Sequence, residues 1–339
     1  MKKQTLALTT AMALTMSGAM AQDITLRISH WIPATHPIAS EGLVSWTNAI
    51  TEQSGGAIQF QIFPSAQLGK AEDHYDMARD GVVDIAWLNP GFNPGRFSIF
   101  AGIQVPLTVA DGMTGIGALN DWYGPLSEQE MGDVHFCLAH MLAPITFHTT
   151  DKPVATPSDL SGMKIRPSSA MEASFIRQAG GSAVPGANPE AREMLSRGLI
   201  DGTTGTVDAQ FQFGVMDAVT YHTDVPFSAV SFALVMNKDR YEGLPDDARA
   251  AIDNNCGKEG ALAHFASPQE YELAAMERLR ALEDHEVVEV GPEALAEWIA
   301  GAEPVREAWR QELSDKGIDP APIEASLRET LSAAGALLE

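Results

Sequence analysis

The chain has 339 residues, with 22 lysines and arginines against 45 aspartates and glutamates, for a formal net charge of −23. So acidic a balance argues against nucleic acid and against anionic membrane surfaces as partners. The 2 cysteines make no disulfide framework in a chain of this size and lack the spacing of a metal or redox site; Cys137 and Cys256 are left as two buried thiols or as one bridge.

In chain order, Lys2 and Lys3 precede an apolar stretch from Leu6 to Met16 and then Ala19-Met20-Ala21. A charged start, a short apolar core and an A-x-A motif read as a secretory signal peptide, 1–21, too short and too rich in threonine to span a membrane. The exported chain then starts at Gln22. Its ~318 residues exceed one typical core and suggest two lobes. Losing two lysines and no acid moves the charge from −23 to about −25. Such a field repels an anion, so any anion site here needs a local, desolvated cation.

Ile24-Thr-Leu-Arg-Ile-Ser and Ile58-Gln-Phe-Gln-Ile alternate with a period of two and predict strands. Between them, 38–51 predicts a helix closed by Gly55-Gly56. A helix over 71–79, Gly81, and an apolar strand over 82–87 follow. Strands alternating with helices imply parallel sheets in an α/β architecture. Gly81-Val-Val-Asp84 has an echo in Gly198-Leu-Ile-Asp201, each after a helix-like segment, as if a left-handed glycine ended a helix and turned the chain into a strand in two similarly built lobes. Segments 218–223 and 231–237 read as late strands that carry the chain between lobes. From Asp246 on, the chain reads as mostly helical, with an apolar face over 271–283, a short strand over 287–290, and a further helix opened by Gly291-Pro292.

The most pointed chemistry lies at Asp159-Leu-Ser-Gly-Met-Lys-Ile-Arg166-Pro. A short strand over 163–166 delivers a guanidinium at its end, where the proline stops the ladder. The natural partner of that planar fork is a carboxylate gripped by two hydrogen bonds.

This segment resembles the "GMKIR" signature of the extracytoplasmic solute receptors of tripartite ATP-independent periplasmic (TRAP) transporters, the dicarboxylate-receptor-like (DctP) branch. In that family the arginine pairs with the carboxylate of an organic acid. His30-Trp31, Pro33 and His36-Pro37 resemble the receptors' loop that lines the ligand cleft; Trp87-Leu-Asn89-Pro-Gly-Phe92 and Asn93-Pro-Gly-Arg-Phe97 resemble a further cleft element, followed by Val105-Pro-Leu where members carry Leu-Pro. His148-Thr-Thr-Asp-Lys-Pro153 resembles the lead-in to the arginine strand. The stretch from Pro226 to Lys238 resembles the hinge strand. Some sialic-acid-type receptors place a second arginine near Lys152; lysine keeps the charge and loses the fork. After Asp201-Gly202, where such receptors place an asparagine beside the carboxylate, this chain has Thr203-Thr204-Gly205, and Thr204 or Thr206 is expected to supply a hydroxyl donor instead.

The resemblance implies a two-lobe periplasmic-binding-protein fold of type II-like form, its lobes linked by crossing strands and a long helix. Residues 22–145 plus about 226–268 form one lobe and 146–225 plus about 285–339 the other, joined by a helix over about 269–284. It also implies a monomeric periplasmic receptor that binds a small organic acid, needs no cofactor, and delivers its cargo to a small and a large integral membrane subunit for uptake driven by an ion gradient. The expected ligand-binding residues are Arg166, Trp31, Trp87, Asn89, Phe92, Lys152, Ser168, Thr204, Thr206 and Asp208. The aromatic residues favour a monocarboxylate with an apolar or ring-bearing body, while Lys152 keeps a diacid or keto acid open. A binding protein serving a membrane sensor is the alternative, since its binding chemistry would be identical. An enzyme is disfavoured: the chain has no H-E-x-x-H, no G-x-S-x-G elbow and no C-x-x-C set, and Gly202-Thr-Thr-Gly205 lacks a P-loop lysine. His135 and His140, five apart on an expected strand, should face opposite sides and not chelate together.

Overall fold

A computed structural model describes residues 24–338; the expected signal peptide and its cleavage site lie outside the described residues. The strands are β1 (Ile24–Ser29), β2 (Ile58–Phe63), β3 (Ile85–Leu88), β4 (Val134–Thr149), β5 (Lys164–Arg166), β6 (Ser182–Ala183), β7 (Gly202–Gly205), β8 (Tyr221–Asp224), β9 (Ser228–Asn237) and β10 (Glu286–Glu289). They run in the order β2-β1-β3-β9-β4-β7-β5-β6, with β8 on the far end of β4 and β10 beside it. Read from either edge, the order is the same: three parallel strands with the one earliest in sequence in the middle, then a long antiparallel one. This is the α/β, two-lobe arrangement the sequence implies.

Each strand follows from its residues. In β1, Ile24, Leu26 and Ile28 are buried while Thr25 is exposed, as alternation demands. β3 is buried at all four positions, the pattern of an inner strand covered on both faces. It is shorter than the 82–87 expected, because Gly81 turns the chain at φ +71° and Val82 stands half-exposed before Ile85 enters the ladder. The 38–51 helix forms, though its first turn and a half, Ile38–Leu43, is wound as a π-helix before Val44–Gln53 continues as α.

β4 joins the lobes. Its residues up to Ile145 pair with β9, and Thr146–Thr149 pair with β7. The register slips between Phe136 and Leu138 and again between Met141 and Pro144, so Pro144, which has no N–H to give, sits at an irregularity in a central strand. The first slip also corrects an expectation. His135 aligns with Met236 and His140 with Phe232, four apart on β9, so the inserted residue turns both histidines to one face. They serve separately: His135 stacks on Tyr241, and His140 stacks on Phe265 and Phe232.

Cys137, at that same slip, is bonded to Cys256 in the turn before the helix Gly257–Phe265, which settles the alternative left open by the sequence. The helix Pro292–Asp315 reaches both halves of the sheet. Trp298 stacks on Phe175 and donates to the Ala155 carbonyl, while Trp309 donates to the Ser98 carbonyl. The helix Pro268–Arg280 instead buries Ala275 and Leu279 against Val207, Val215 and Ile200 in a second, smaller core. Among the described residues no helix is long and apolar enough to cross a membrane.

Candidate ligand site between the lobes

Arg166 closes β5, aligned with Thr203 of β7. Its side chain is 1 % exposed. Nε donates to the Gly186 carbonyl at 2.9 Å, and Nη1 lies within reach of the Thr204 carbonyl (3.0 Å), Ser168 Oγ and Asn188 Oδ1 (both 3.3 Å). Among the described residues Nη2 meets no acceptor, so one prong of the fork is uncommitted. Burial pushes the guanidinium down to about 10, with Glu172 and Glu190 pulling the other way, and it stays charged at neutral pH.

Glu172 supplies the buried counter-charge. It accepts from the Ser168 N–H (2.9 Å), the Thr204 hydroxyl (2.5 Å) and the Ser169 hydroxyl (3.2 Å). Burial raises its carboxyl above the usual range while those donors and Arg166 draw it back. The sequence reading missed this residue, although Ser169-Ala-Met-Glu172 carries a capping-box signature and Ser169 does cap the helix Ala170–Gln178.

The opposite wall is aromatic. Trp31 follows β1, with its ring 5.4 Å from that of Trp87 and 5.6 Å from that of Phe92. Trp87, on β3, stacks on Phe232 at 4.4 Å and donates from its indole to His140 Nε2 at 2.8 Å. Trp31, Trp87, Asn89, Phe92, Arg166, Ser168 and Thr206 all line one small cavity of about 40 Å³. His36, from the loop that resembles the receptors' cleft lining, joins them there, as do Phe213, Phe232 and Asn188; these last three were not singled out for this role from the sequence, because each arrives from a different element. Through Trp31, Phe92 and Ser168 the cavity continues into a cleft of about 860 Å³. Asn89 spans the two walls, its carboxamide donating to the Ser168 carbonyl at 3.4 Å and accepting from Gly91 N–H.

Three expected residues lie elsewhere. Lys152 is exposed and donates to the Asp159 carbonyl at 2.6 Å: a flexible ammonium finds a partner near its own turn and brings no second cation to the cavity. Thr204 is buried, but its hydroxyl is spent on Glu172 and the Ser168 N–H. Asp208 lines, with Glu272, a small recess that adjoins the cavity through His36, Ile38, Leu142 and Thr206. There the Glu272 carboxylate accepts from the N–H groups of Val207 and Asp208, and burial raises it to about 7.

Behind the cavity runs a file of histidines. His148 Nε2 meets the Gly205 carbonyl (3.0 Å), His148 Nδ1 meets His222 Nδ1 (2.7 Å), and His222 Nε2 meets His285 Nδ1 (2.9 Å). A carbonyl only accepts, so His148 carries its proton on Nε2, His222 on Nδ1 and His285 on Nδ1. Burial holds His148 down to about 4 and His222 to about 2. Among the described residues no cluster of His, Cys, Asp or Glu is placed to hold a metal ion.

The same architecture is found in solved receptors. A TRAP solute-binding protein from Rhodoferax ferrireducens T118, in complex with copurified benzoate, is 26 % identical and superposes with a TM-score of 0.87 over 92 % of this chain and 98 % of its own. One from a marine metagenome, specific for aromatic acid ligands and holding 3-hydroxybenzoate, is 26 % identical with a TM-score of 0.87, covering 92 % and 99 %. One from Bordetella bronchiseptica with bound mandelate is 25 % identical with a TM-score of 0.84, covering 91 % and 99 %. In sequence, the C4-dicarboxylate-binding periplasmic protein DctP of Rhodobacter capsulatus is 23 % identical over 94 % of this chain and 96 % of its own. The profile of the bacterial extracellular solute-binding proteins, family 7 (DctP), matches residues 28–312. The chain therefore belongs to family 7 of the bacterial extracellular solute-binding proteins, the DctP-type receptors of TRAP transporters, which bind solutes and are not enzymes.

Proposed function

We propose that this receptor binds an aromatic monocarboxylate, its carboxylate on Arg166 and its ring against Trp31, Trp87 and Phe92. The observation that carries the reading is a buried Arg166, its Nη2 without a protein acceptor among the described residues, lining a cavity shared with Trp31, Trp87 and Phe92. A diacid held in the small cavity would need a second cation there; Lys152 is turned away, and Lys70 and Arg177 line the wider cleft and not that cavity. The benzoate, 3-hydroxybenzoate and mandelate held by receptors 25–26 % identical to it point the same way. A carboxylate buried beside one guanidinium gains only where water is expelled and its other oxygens find donors, which calls for a cleft that shuts.

In this reading the chain is cleaved after Ala21 and works in the periplasm as a monomer, passing its cargo to a small and a large membrane subunit driven by an ion gradient. The lobes divide within β4 at about Ile145 and between β8 and β9. The helix Pro292–Asp315 serves as the long shared element, and Pro268–Arg280 belongs to the Arg166 lobe. Thermal-shift screening tests the ligand: a true ligand at 100 times its Kd stabilises by about 2.7 kcal/mol. Benzoate and mandelate should raise the melting temperature and succinate or malate should not; a response to the diacids alone would reverse the assignment.

A further inference from the structure

Of the 6 tryptophans, five donate their indole N–H to a protein acceptor. Trp46 donates to the Asn255 carbonyl (2.9 Å), Trp87 to His140 (2.8 Å), Trp122 to the Ile323 carbonyl (3.3 Å), Trp298 to the Ala155 carbonyl (2.9 Å) and Trp309 to the Ser98 carbonyl (2.7 Å). Trp31 is the exception among the described residues. Its Nε1 is shielded from solvent and has no acceptor, although the residue is only 7 % exposed. It is also the one tryptophan that lines both the small cavity and the larger cleft.

A buried N–H left unpaired is a cost that folded chains avoid. The polar groups around it are otherwise engaged. Asn89 is bonded to Ser168 and Gly91, and Ser168 Oγ lies between Arg166 and Thr204. The indole ring itself is fixed between Trp87 and Phe92, so the donor does not swing toward another partner. Trp31 stands on the wall opposite Arg166, following β1 rather than β5.

We propose that the Trp31 N–H is a specificity donor: it favours ligands whose ring carries an oxygen, a hydroxyl or oxo group, away from the carboxylate that Arg166 holds. The inference rests on the aromatic-acid reading above and narrows it from aromatic acids to oxygen-substituted ones. A site built to hydrogen-bond a ligand oxygen discriminates against the analogue that lacks it, because the donor is then left unpaired. A methyl group of similar size offers no acceptor and separates this effect from mere filling of space.

Calorimetric titration of the full exported chain with benzoate, the three hydroxybenzoates and the three methylbenzoates tests this, in wild type and in Trp31→Phe. At least one hydroxy isomer should bind wild type about tenfold more tightly than its methyl counterpart (~1.4 kcal/mol). In Trp31→Phe that preference should fall to within about threefold, whatever the shared loss of ring contact does to the affinity for all of these acids. Equal binding of hydroxy and methyl isomers by wild type would overturn the proposal, and so would a preference that survives the substitution. A loss of benzoate affinity as large as that of the hydroxy acid would also overturn it, by placing the N–H on the carboxylate instead. Should Trp31→Phe fail to fold, the wild-type hydroxyl-against-methyl comparison decides alone. If wild type binds none of these acids, the aromatic-acid reading itself falls, and this proposal with it.

Discussion

The two Gly-apolar-apolar-Asp units carry the same circuit in the two lobes. In one, Gly81 has φ +71°, and the Asp84 carboxylate accepts from the Arg27 N–H at 2.7 Å while Arg27 Nη2 reaches the Gly81 carbonyl at 3.2 Å. In the other, Gly198 has φ +64°, the Asp201 carboxylate accepts from the Lys164 N–H at 2.7 Å, and Lys164 Nζ reaches the Gly198 carbonyl at 3.0 Å. The ladders agree residue for residue: Ser29 stands beside Ala86 where Arg166 stands beside Thr203. Two residues after the basic one and three after the aspartate, the first unit offers Ser29 and Trp87, and the second Arg166 and Thr204. Backbone and anchoring are shared; the difference between an aromatic wall and a cationic one resides in a few ladder positions. In this molecule chemistry is therefore assigned by side chain at a fixed site and not by a difference in fold.

The largest test of that division is Arg166→Ala. Leaving a carboxylate buried without its partner should cost about 3–5 kcal/mol of binding, and Arg166→Lys should recover only part, for want of the second hydrogen bond. Unchanged affinity in calorimetry would show that the second unit does not hold the anion.

Acid titration compares the lobes next. His148, in the Arg166 lobe, is neutral in the fold down to about 4, and His36, in the aromatic one, also to about 4, both because burial disfavours the cation. The unfolded chain protonates these residues near the ordinary 6.5 and so binds more protons below it. Stability should be full above pH ~6.5 and fall progressively toward pH ~4, by about 3 kcal/mol for one such group. A melting temperature level across that window would contradict the buried, neutral state of both.

The anchors should then separate. Asp84 is 10 % exposed at its side chain and Asp201 40 %. Asp84→Ala strands the Arg27 N–H where water reaches poorly and should cost about 1–3 kcal/mol. Asp201→Ala should cost less in denaturant unfolding yet weaken ligand binding more, since Lys164 leads directly to Arg166. Equal costs, with no effect of either on binding, would mean that the circuits are decoupled from the site. The smallest effect is common to both: Gly81→Ala and Gly198→Ala each force a left-handed conformation on a side chain and should lose ~1 kcal/mol. A difference larger than that between them would break the equivalence.

Much of this was legible before any coordinates. The Gly-x-x-Asp echo held because a left-handed glycine and an aspartate that caps a neighbouring strand are local devices. That Arg166 ends a strand was legible because the proline after it stops the ladder, while its pairing with a carboxylate came from the resemblance. Lys152 was left open by the sequence since a chain of four methylenes can satisfy itself close to home, and sequence order cannot say on which side. The histidine file and Phe213 with Phe232 join residues from separate elements, which no spacing announces. The offset of His140 depended on one extra residue at Cys137, too small to alter any periodicity. Glu172, by contrast, could have been read from its cap.

The Cys137–Cys256 bridge encloses 119 residues of sequence separation, and Arg166, Glu172, Asp201 and the whole of β5 to β9 lie inside that loop. In the chain-entropy account, closing so long a loop removes about 5 kcal/mol from the unfolded side. Topologically, the cationic wall is a single excursion tied at its base. A protease that nicks the chain anywhere within the loop leaves one covalent molecule, which parts into two fragments only when a reductant is added. Protein made in a reducing cytosol lacks the tie, and there the same nick lets the segment bearing Arg166 come away from its other half.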